Sequence, residues 1–204
     1  VSEGAVVVLD TAGGIKALIG GRSYRSSPFD RAVKALRQPG SAFKPFVYLT
    51  ALESGYTPDS VAYDSPVSVD GWTPKNHSST YRGAVTLRDS FAHSINTVAA
   101  KLADDVGRER VISTARRLGI HSELHDNPSI ALGTAEVTLL ELVAAYVPFA
   151  NGGDGVTPHI IARVRNGDGK LIYEWKGSML GRVVDEPYVA EMNDMMNATL
   201  VSGT

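Results

Sequence analysis

Cysteine is absent from all 204 residues, which removes disulfides, thiolate metal sites and cysteine nucleophiles together. Serine and carboxylate chemistry stay open. A chain without thiols suits an oxidising compartment, although many cytosolic domains also lack cysteine. Long apolar runs are missing too: none approaches the roughly 20 residues that span a bilayer. The N-terminus also lacks the basic, apolar and small-residue order of a signal peptide. Any membrane anchor is therefore expected outside this chain. Nor is there an excess of positive charge; the net charge is -2, and holding phosphates takes clustered, uncompensated Lys and Arg. Nucleic acid is not an expected partner. The chain has no internal repeat, low-complexity tract or phosphate-binding glycine loop, and no cofactor is called for.

What is present, 43% hydrophobic and 21% charged residues, is the balance of a soluble globular fold of one domain or slightly less. Two β-rich runs, Ala5 to Leu9 and Ile15 to Ile19, flank Gly13 and Gly14 and predict a hairpin. A second hairpin is expected in HIIARVRNGDGKLIYEW, from its alternation and its Asn-Gly-Asp-Gly turn. Between Ser41 and Ser54 the apolar residues fall on more than one side of a helix, which predicts a core helix closed by Gly55. Further helices are expected from Thr86 through His93 and from about Ser94 to Val106. Others are expected over 108–118 before Gly119, over 138–150 with Thr138 and Glu141 as a capping box, and over 186–201 with Asp185 as cap. Residues 56–83, rich in Pro, Asp, Ser and Gly, are too long for a mere connector and are expected to form a structured loop lining a site. Two early strands followed by many helices point to an α+β or mixed three-layer domain. Two strands are too few for a central sheet with helices on both faces, so further strands are expected from elsewhere.

The stretch RQPGSAFKPF places Ser41 and Lys44 three residues apart. At i and i+3 of one helix their Cβ atoms lie about 5 to 6 Å apart, within reach of a hydrogen bond. A serine hydroxyl is a weak nucleophile until a base takes its proton, and lysine can be that base where burial keeps it neutral. Pro45 has no N–H to offer the Ser41 carbonyl and is tolerated only in a first turn, so Ser41 belongs at the helix N-terminus. Free N–H groups and the positive end of the helix dipole there favour an alkoxide or oxyanion. Taken alone, Ser-x-x-Lys is more often a plain N-cap beside a solvated charge. His121 and His125, four apart, fit a surface turn better than a zinc site, because no third ligand has recognisable spacing.

Context reverses the odds. RQPGSAFKPFVYLTALESGYTP, GWTPKN, RGAVTLRDSFAHSINT and ALGTAEVTLLELVAAYVPFANGG follow one another in order. Together they strongly resemble the transpeptidase domain of class A penicillin-binding proteins, whose first two motifs, Ser-x-x-Lys and Ser-x-Asn, match Ser41 to Lys44 and Ser94 to Asn96. The resemblance implies an α+β, three-layer fold of the serine beta-lactamase and penicillin-binding protein type, with helices around a central antiparallel sheet. It also implies a peptidoglycan D,D-transpeptidase. Ser41 would attack the carbonyl between the terminal D-alanines of a stem peptide, with Lys44 as base. Ser94 would relay a proton to the departing amine, and Asn96 would hold the substrate amide. Stem peptides and beta-lactams are the implied partners. A D,D-carboxypeptidase or beta-lactamase of the same fold, or a non-catalytic domain binding wall peptides, is the alternative. Trp72 and Asn76 stay unassigned, between groove lining and a lid on the core.

The family's third motif, Lys-Thr/Ser-Gly, does not occur; Lys176-Gly177-Ser178 has the wrong order. The resemblance therefore implies that residues 1–204 are the N-terminal and central part of one transpeptidase domain. A glycosyltransferase domain and membrane anchor are expected upstream, and the third-motif strand and remaining sheet strands in a complementary C-terminal segment. Isolated residues 1–204 are expected to be inactive and poorly folded without that segment. The implied location is extracytoplasmic, on the periplasmic face of a bacterial inner membrane.

Overall fold

The computed structural model describes residues 3–78, 80–178 and 180–203; Ser79, within the expected 56–83 loop, lies outside them. The described residues fall into two compact units. One lies within Val1–Arg37, Arg117–His121 and Val137–Asp185, the other within Gln38–Arg116, Ser122–Glu136 and Glu186–Thr204. The secondary structure is α+β, with three separate two-stranded antiparallel sheets among the described residues.

In the first unit, β1 (Val6–Leu9) pairs with β2 (Ile15–Ile19), Val6 opposite Ile19, with a bulge at Val8/Leu9. Asp10 closes the turn by accepting the Ala12 and Gly14 N–H groups on Oδ1 at 3.0 and 2.7 Å. The first hairpin thus forms where the sequence predicts it. Helix α5 (Leu139–Asn151) packs against β1, and Ala144, Val147 and Val156 form a small core that Leu9 joins. The expected capping box is complete: Thr138 Oγ1 accepts the Glu141 N–H at 3.2 Å and Glu141 Oε2 accepts the Thr138 N–H at 3.1 Å. The second expected hairpin is β5 (Arg163–Arg165) with β6 (Leu171–Glu174), exposed along both strands.

The second unit is built around α1 (Lys44–Leu52), every residue of which is buried. Such a helix must be apolar all round, and it is, except where polar groups find partners. The Tyr48 hydroxyl pairs with Ser90 Oγ at 2.7 Å, and Thr50 Oγ1 donates to Phe46 O at 2.7 Å and lies within hydrogen-bond distance of Thr114 Oγ1 at 2.9 Å. Phe43 and Phe46 pack with tilted rings 5.0 Å apart, and Tyr48 meets Phe91 edge-on at 5.0 Å. Around α1 stand α2 (Leu87–Ala92), α3 (Asn96–Val106), most of α4 (Arg108–Leu118) and α6 (Glu186–Ser202). Helix α6 lies on α1 and α2, where Arg88 pairs with Asp194. Among the described residues, no helix is long and apolar enough to cross a membrane.

Two features differ from the sequence expectations. Residues Gly40–Phe43 form a 3₁₀ turn and the α-helix starts only at Lys44, with Pro45 in its first turn. The stretch expected to be a long loop contains β3 (Val61–Asp64), which pairs with β4 (Gly83–Thr86), Asp64 opposite Gly83. These strands are short, and β3 is bounded by turn-forming residues, so propensity alone does not reveal the pairing.

Candidate active site

Three segments of the second unit converge: the turn carrying Ser41, the α2–α3 junction carrying Ser94, and the loop between β3 and β4. Ser41 is exposed in the first turn of the 3₁₀ helix, and its carbonyl accepts the Lys44 N–H. Gly40, just before it, has φ +59, and its N–H donates to Gly133 O at 3.2 Å. The two backbones are close enough that a Cβ on Gly133, itself at φ +67, would lie 2.2 Å from Gly40 O. Only glycine fits there, and this contact seats the Ser41 turn against the 3₁₀ turn Pro128–Leu132.

Lys44 is 2% exposed. Its ammonium donates to Ser94 O at 2.6 Å, Ser94 Oγ at 2.9 Å and Asn96 Oδ1 at 2.7 Å, one acceptor for each of its three protons. Burial pushes it from the ordinary 10.5 down to about 8, because a low-dielectric surrounding disfavours the charged form. About one molecule in ten then carries a neutral amine at pH 7, against about one in three thousand for a solvated lysine.

Ser94 is a non-glycine residue with φ +52. That conformation costs roughly 1 to 2 kcal/mol and turns the carbonyl and the hydroxyl of one residue toward the same ammonium. It is set by the abrupt junction of α2 and α3, where the Ser94 N–H donates to Phe91 O and the Ile95 N–H to Ser90 O, both at 3.0 Å. Ser94 Oγ also bonds Ser41 Oγ at 2.9 Å. The lysine therefore reaches Ser41 through Ser94, not by the direct i,i+3 hydrogen bond that the spacing allows. All four residues singled out by sequence, Ser41, Lys44, Ser94 and Asn96, join one hydrogen-bonded line.

Two further residues join the site: Asn76, which the sequence leaves unassigned, and Asp64, which no sequence motif marks. Asn76 Nδ2 donates to the buried Asp64 at 2.7 Å, and its Oδ1 accepts the Asn96 N–H at 3.0 Å; the Asn96 amide donates to Lys75 O at 2.8 Å. The only sequence signal was GWTPKN in a loop too long to be idle. Trp72 is half-buried and exchanges 2.9 Å backbone hydrogen bonds with Val69.

A buried amine joined through one hydroxyl to an exposed serine at a helix start is equipped for acyl transfer. A family model described as the penicillin binding protein transpeptidase domain matches residues 4–204. Penicillin-binding protein 1A of Aquifex aeolicus (strain VF5) is 43% identical over 209 residues, covering 99% of this chain and 28% of that protein. Penicillin-binding protein 1A of Pseudomonas aeruginosa is 41% identical over 181 residues, covering 85% of this chain and 22% of that protein. The chain thus spans about a quarter of the length of these relatives. The crystal structure of penicillin-binding protein 1A from Haemophilus influenzae matches with a TM-score of 0.91 at 29% identity, over 99% of this chain and 36% of that one. PonA1 from Mycobacterium tuberculosis, solved in complex with penicillin V, matches at 0.84 and 25% identity, over 94% of this chain and 54% of that one. Its α+β fold is accordingly the one seen in those proteins, and the chain belongs to the penicillin-binding protein transpeptidase domain family.

Proposed function

We propose that this chain carries the acylation machinery of a peptidoglycan D,D-transpeptidase. The observation that supports it most is the line Lys44 Nζ, Ser94 Oγ, Ser41 Oγ, with 2.9 Å at each step. With Lys44 neutral, the hydroxyl protons reverse: Ser41 donates to Ser94, and Ser94 to the amine. As Ser41 Oγ attacks the carbonyl between two terminal D-alanines, its proton moves along this line to Lys44. The Ser41 N–H, at the start of its turn, is a donor for the oxyanion. Collapse breaks the C–N bond, the proton returns through Ser94 to the departing amine, and D-alanine leaves an ester on Ser41. An amine of a second stem peptide then attacks the ester, forming the cross-link and regenerating the serine. Asn96 Nδ2 donates one proton to Lys75 O at 2.8 Å, and its second would hold a substrate amide carbonyl.

Beta-lactams enter the same step as slow substrates, a reading supported by the penicillin V complex of PonA1. The chain works on the extracytoplasmic face of the membrane, with its anchor, a glycosyltransferase domain and the third-motif segment supplied by other parts of the protein. Intact mass spectrometry of the complete protein after incubation with penicillin tests this. One adduct mapping to Ser41, lost in Ser41→Ala, is expected; an unmodified protein rules out the acyl-enzyme. Cross-linked dimers from purified stem peptides, and not only free D-alanine, distinguish the transpeptidase from a carboxypeptidase.

A further inference from the structure

Behind the line from Lys44 to Ser41 stands a second polar chain that the chemistry above does not use. Asp64, the last residue of β3, is 1% exposed. Its Oδ1 accepts Thr97 Oγ1–H at 2.6 Å and Asn76 Nδ2–H at 2.7 Å, and its Oδ2 accepts the Arg82 N–H at 2.8 Å. Burial alone would raise this carboxyl, but the hydrogen bonds from Thr97, Arg82 and Asn76 carry it below its ordinary value. Asp64 is thus a buried, charged acceptor. A carboxylate accepts only, and a backbone N–H donates only, so Asn76 between them has one orientation. Its NH2 faces Asp64, and its oxygen accepts the Asn96 and Thr97 N–H groups at 3.0 and 3.3 Å, in the first turn of α3. With Asn76 held at both ends, the preceding carbonyl, Lys75 O, is fixed where the Asn96 NH2 donates to it at 2.8 Å. The Asn96 oxygen is left facing the Lys44 ammonium at 2.7 Å.

We propose that Asp64 and Asn76 are positioning residues that set which end of the Asn96 amide faces Lys44. The inference rests on the transpeptidase reading above. Without the anchored loop the amide is free to turn, and an NH2 group facing an ammonium sets donor against donor. Nζ then loses one of its three acceptors and its fixed approach to Ser94. Asp64→Asn keeps the shape but leaves one of its two polar ends mismatched, since its own NH2 must confront the Arg82 N–H or the Asn76 NH2. Displacing a reacting group by about 1 Å slows an enzyme by about 100-fold, and that is the expected loss.

Acylation of Ser41 by a fluorescent penicillin, timed in the complete protein, tests the relay. Asp64→Asn and Asn76→Ala are each compared in the wild-type and the Asn96→Ala background, with thermal melts alongside. Both changes are expected to slow acylation by about 100-fold with Asn96 present and by no more than about threefold once Asn96 is gone, because residues acting through a common partner are not additive. Equal slowing in both backgrounds, or no slowing with Asn96 present, overturns the proposal. Should Asp64→Asn lose its melting transition, the partly exposed Asn76→Ala carries the same comparison. An unlabelled wild type removes the transpeptidase reading and the relay with it, whereas a labelled wild type with additive variants removes the relay alone.

Discussion

Raising the pH is expected to accelerate acylation of Ser41 along the titration of Lys44. With the amine at about 8, the neutral fraction is about 1% at pH 6, about 9% at pH 7, about half at pH 8 and about 91% at pH 9. The rate should therefore rise about 50-fold between pH 6 and 8 and less than twofold between 8 and 9. A solvated lysine would still be gaining about tenfold in that last unit. The assay is the second-order rate of labelling of the complete protein by a fluorescent penicillin, each pH checked for penicillin hydrolysis. A profile still climbing tenfold per unit at pH 9 would refute the desolvation of Lys44; a flat one would refute its role as base. Lys44→Arg, charged at every pH, is expected to label negligibly throughout. The same shift has a stability consequence of definite sign. The folded value of about 8 lies below the ordinary 10.5, so between those two values the unfolded chain binds more protons than the folded one. Stability withheld by the buried ammonium below pH 8 is regained as pH rises through that window, by up to about 3 kcal/mol. Denaturant unfolding of wild type against Lys44→Met at pH 7 and 9.5 measures it, and no change in their difference would contradict the burial.

Ser94→Ala removes the oxygen between Lys44 and Ser41 and is expected to slow labelling by about 10² to 10⁴; Ser94→Gly, which relieves the positive φ, should be the more stable of the two yet equally slow. Recovery of the rate in the glycine variant would show that the hydroxyl is not the relay. Gly133→Ala puts a Cβ 2.2 Å from Gly40 O at a φ of +67, so a loss of at least about 2 kcal/mol together with slower labelling is expected in denaturant unfolding and the penicillin assay; wild-type behaviour in both would refute the close approach. Thr138→Ala breaks the capping box of α5 and is expected to destabilise by about 1 kcal/mol, read from the urea midpoint, with labelling unchanged.

Much of the site was legible because its signals are local. Pro45 in the first turn places Ser41 at a helix start whatever surrounds it, since its missing N–H is harmless only there. Thr138 with Glu141, and the turn at Gly13 and Gly14 before β2, likewise act within a few residues, and the chain folds a capping box and a hairpin there as predicted. Apolar residues on more than one side of the segment from Ser41 to Ser54 likewise predict a core helix, and α1 is buried. The tertiary structure alone decided which groups meet across long separations. Ser94 lies 53 residues from Ser41 and 50 from Lys44, and only the packing of α3 on α1 inserts its hydroxyl between them. The positive φ that aims both Ser94 oxygens at the ammonium is imposed by the α2–α3 junction on a residue type that does not announce it. Asp64 reads in sequence as an ordinary turn aspartate before Ser-Pro. Its pairing with Asn76 and Thr97 depends on β3 finding β4 across a loop, and strand pairing at that distance rests on packing and not on local propensity. Burial of Lys44, from which its proposed chemistry follows, is of the same kind: a lysine three residues after a serine is solvated by default, and only the assembled core withdraws it from water.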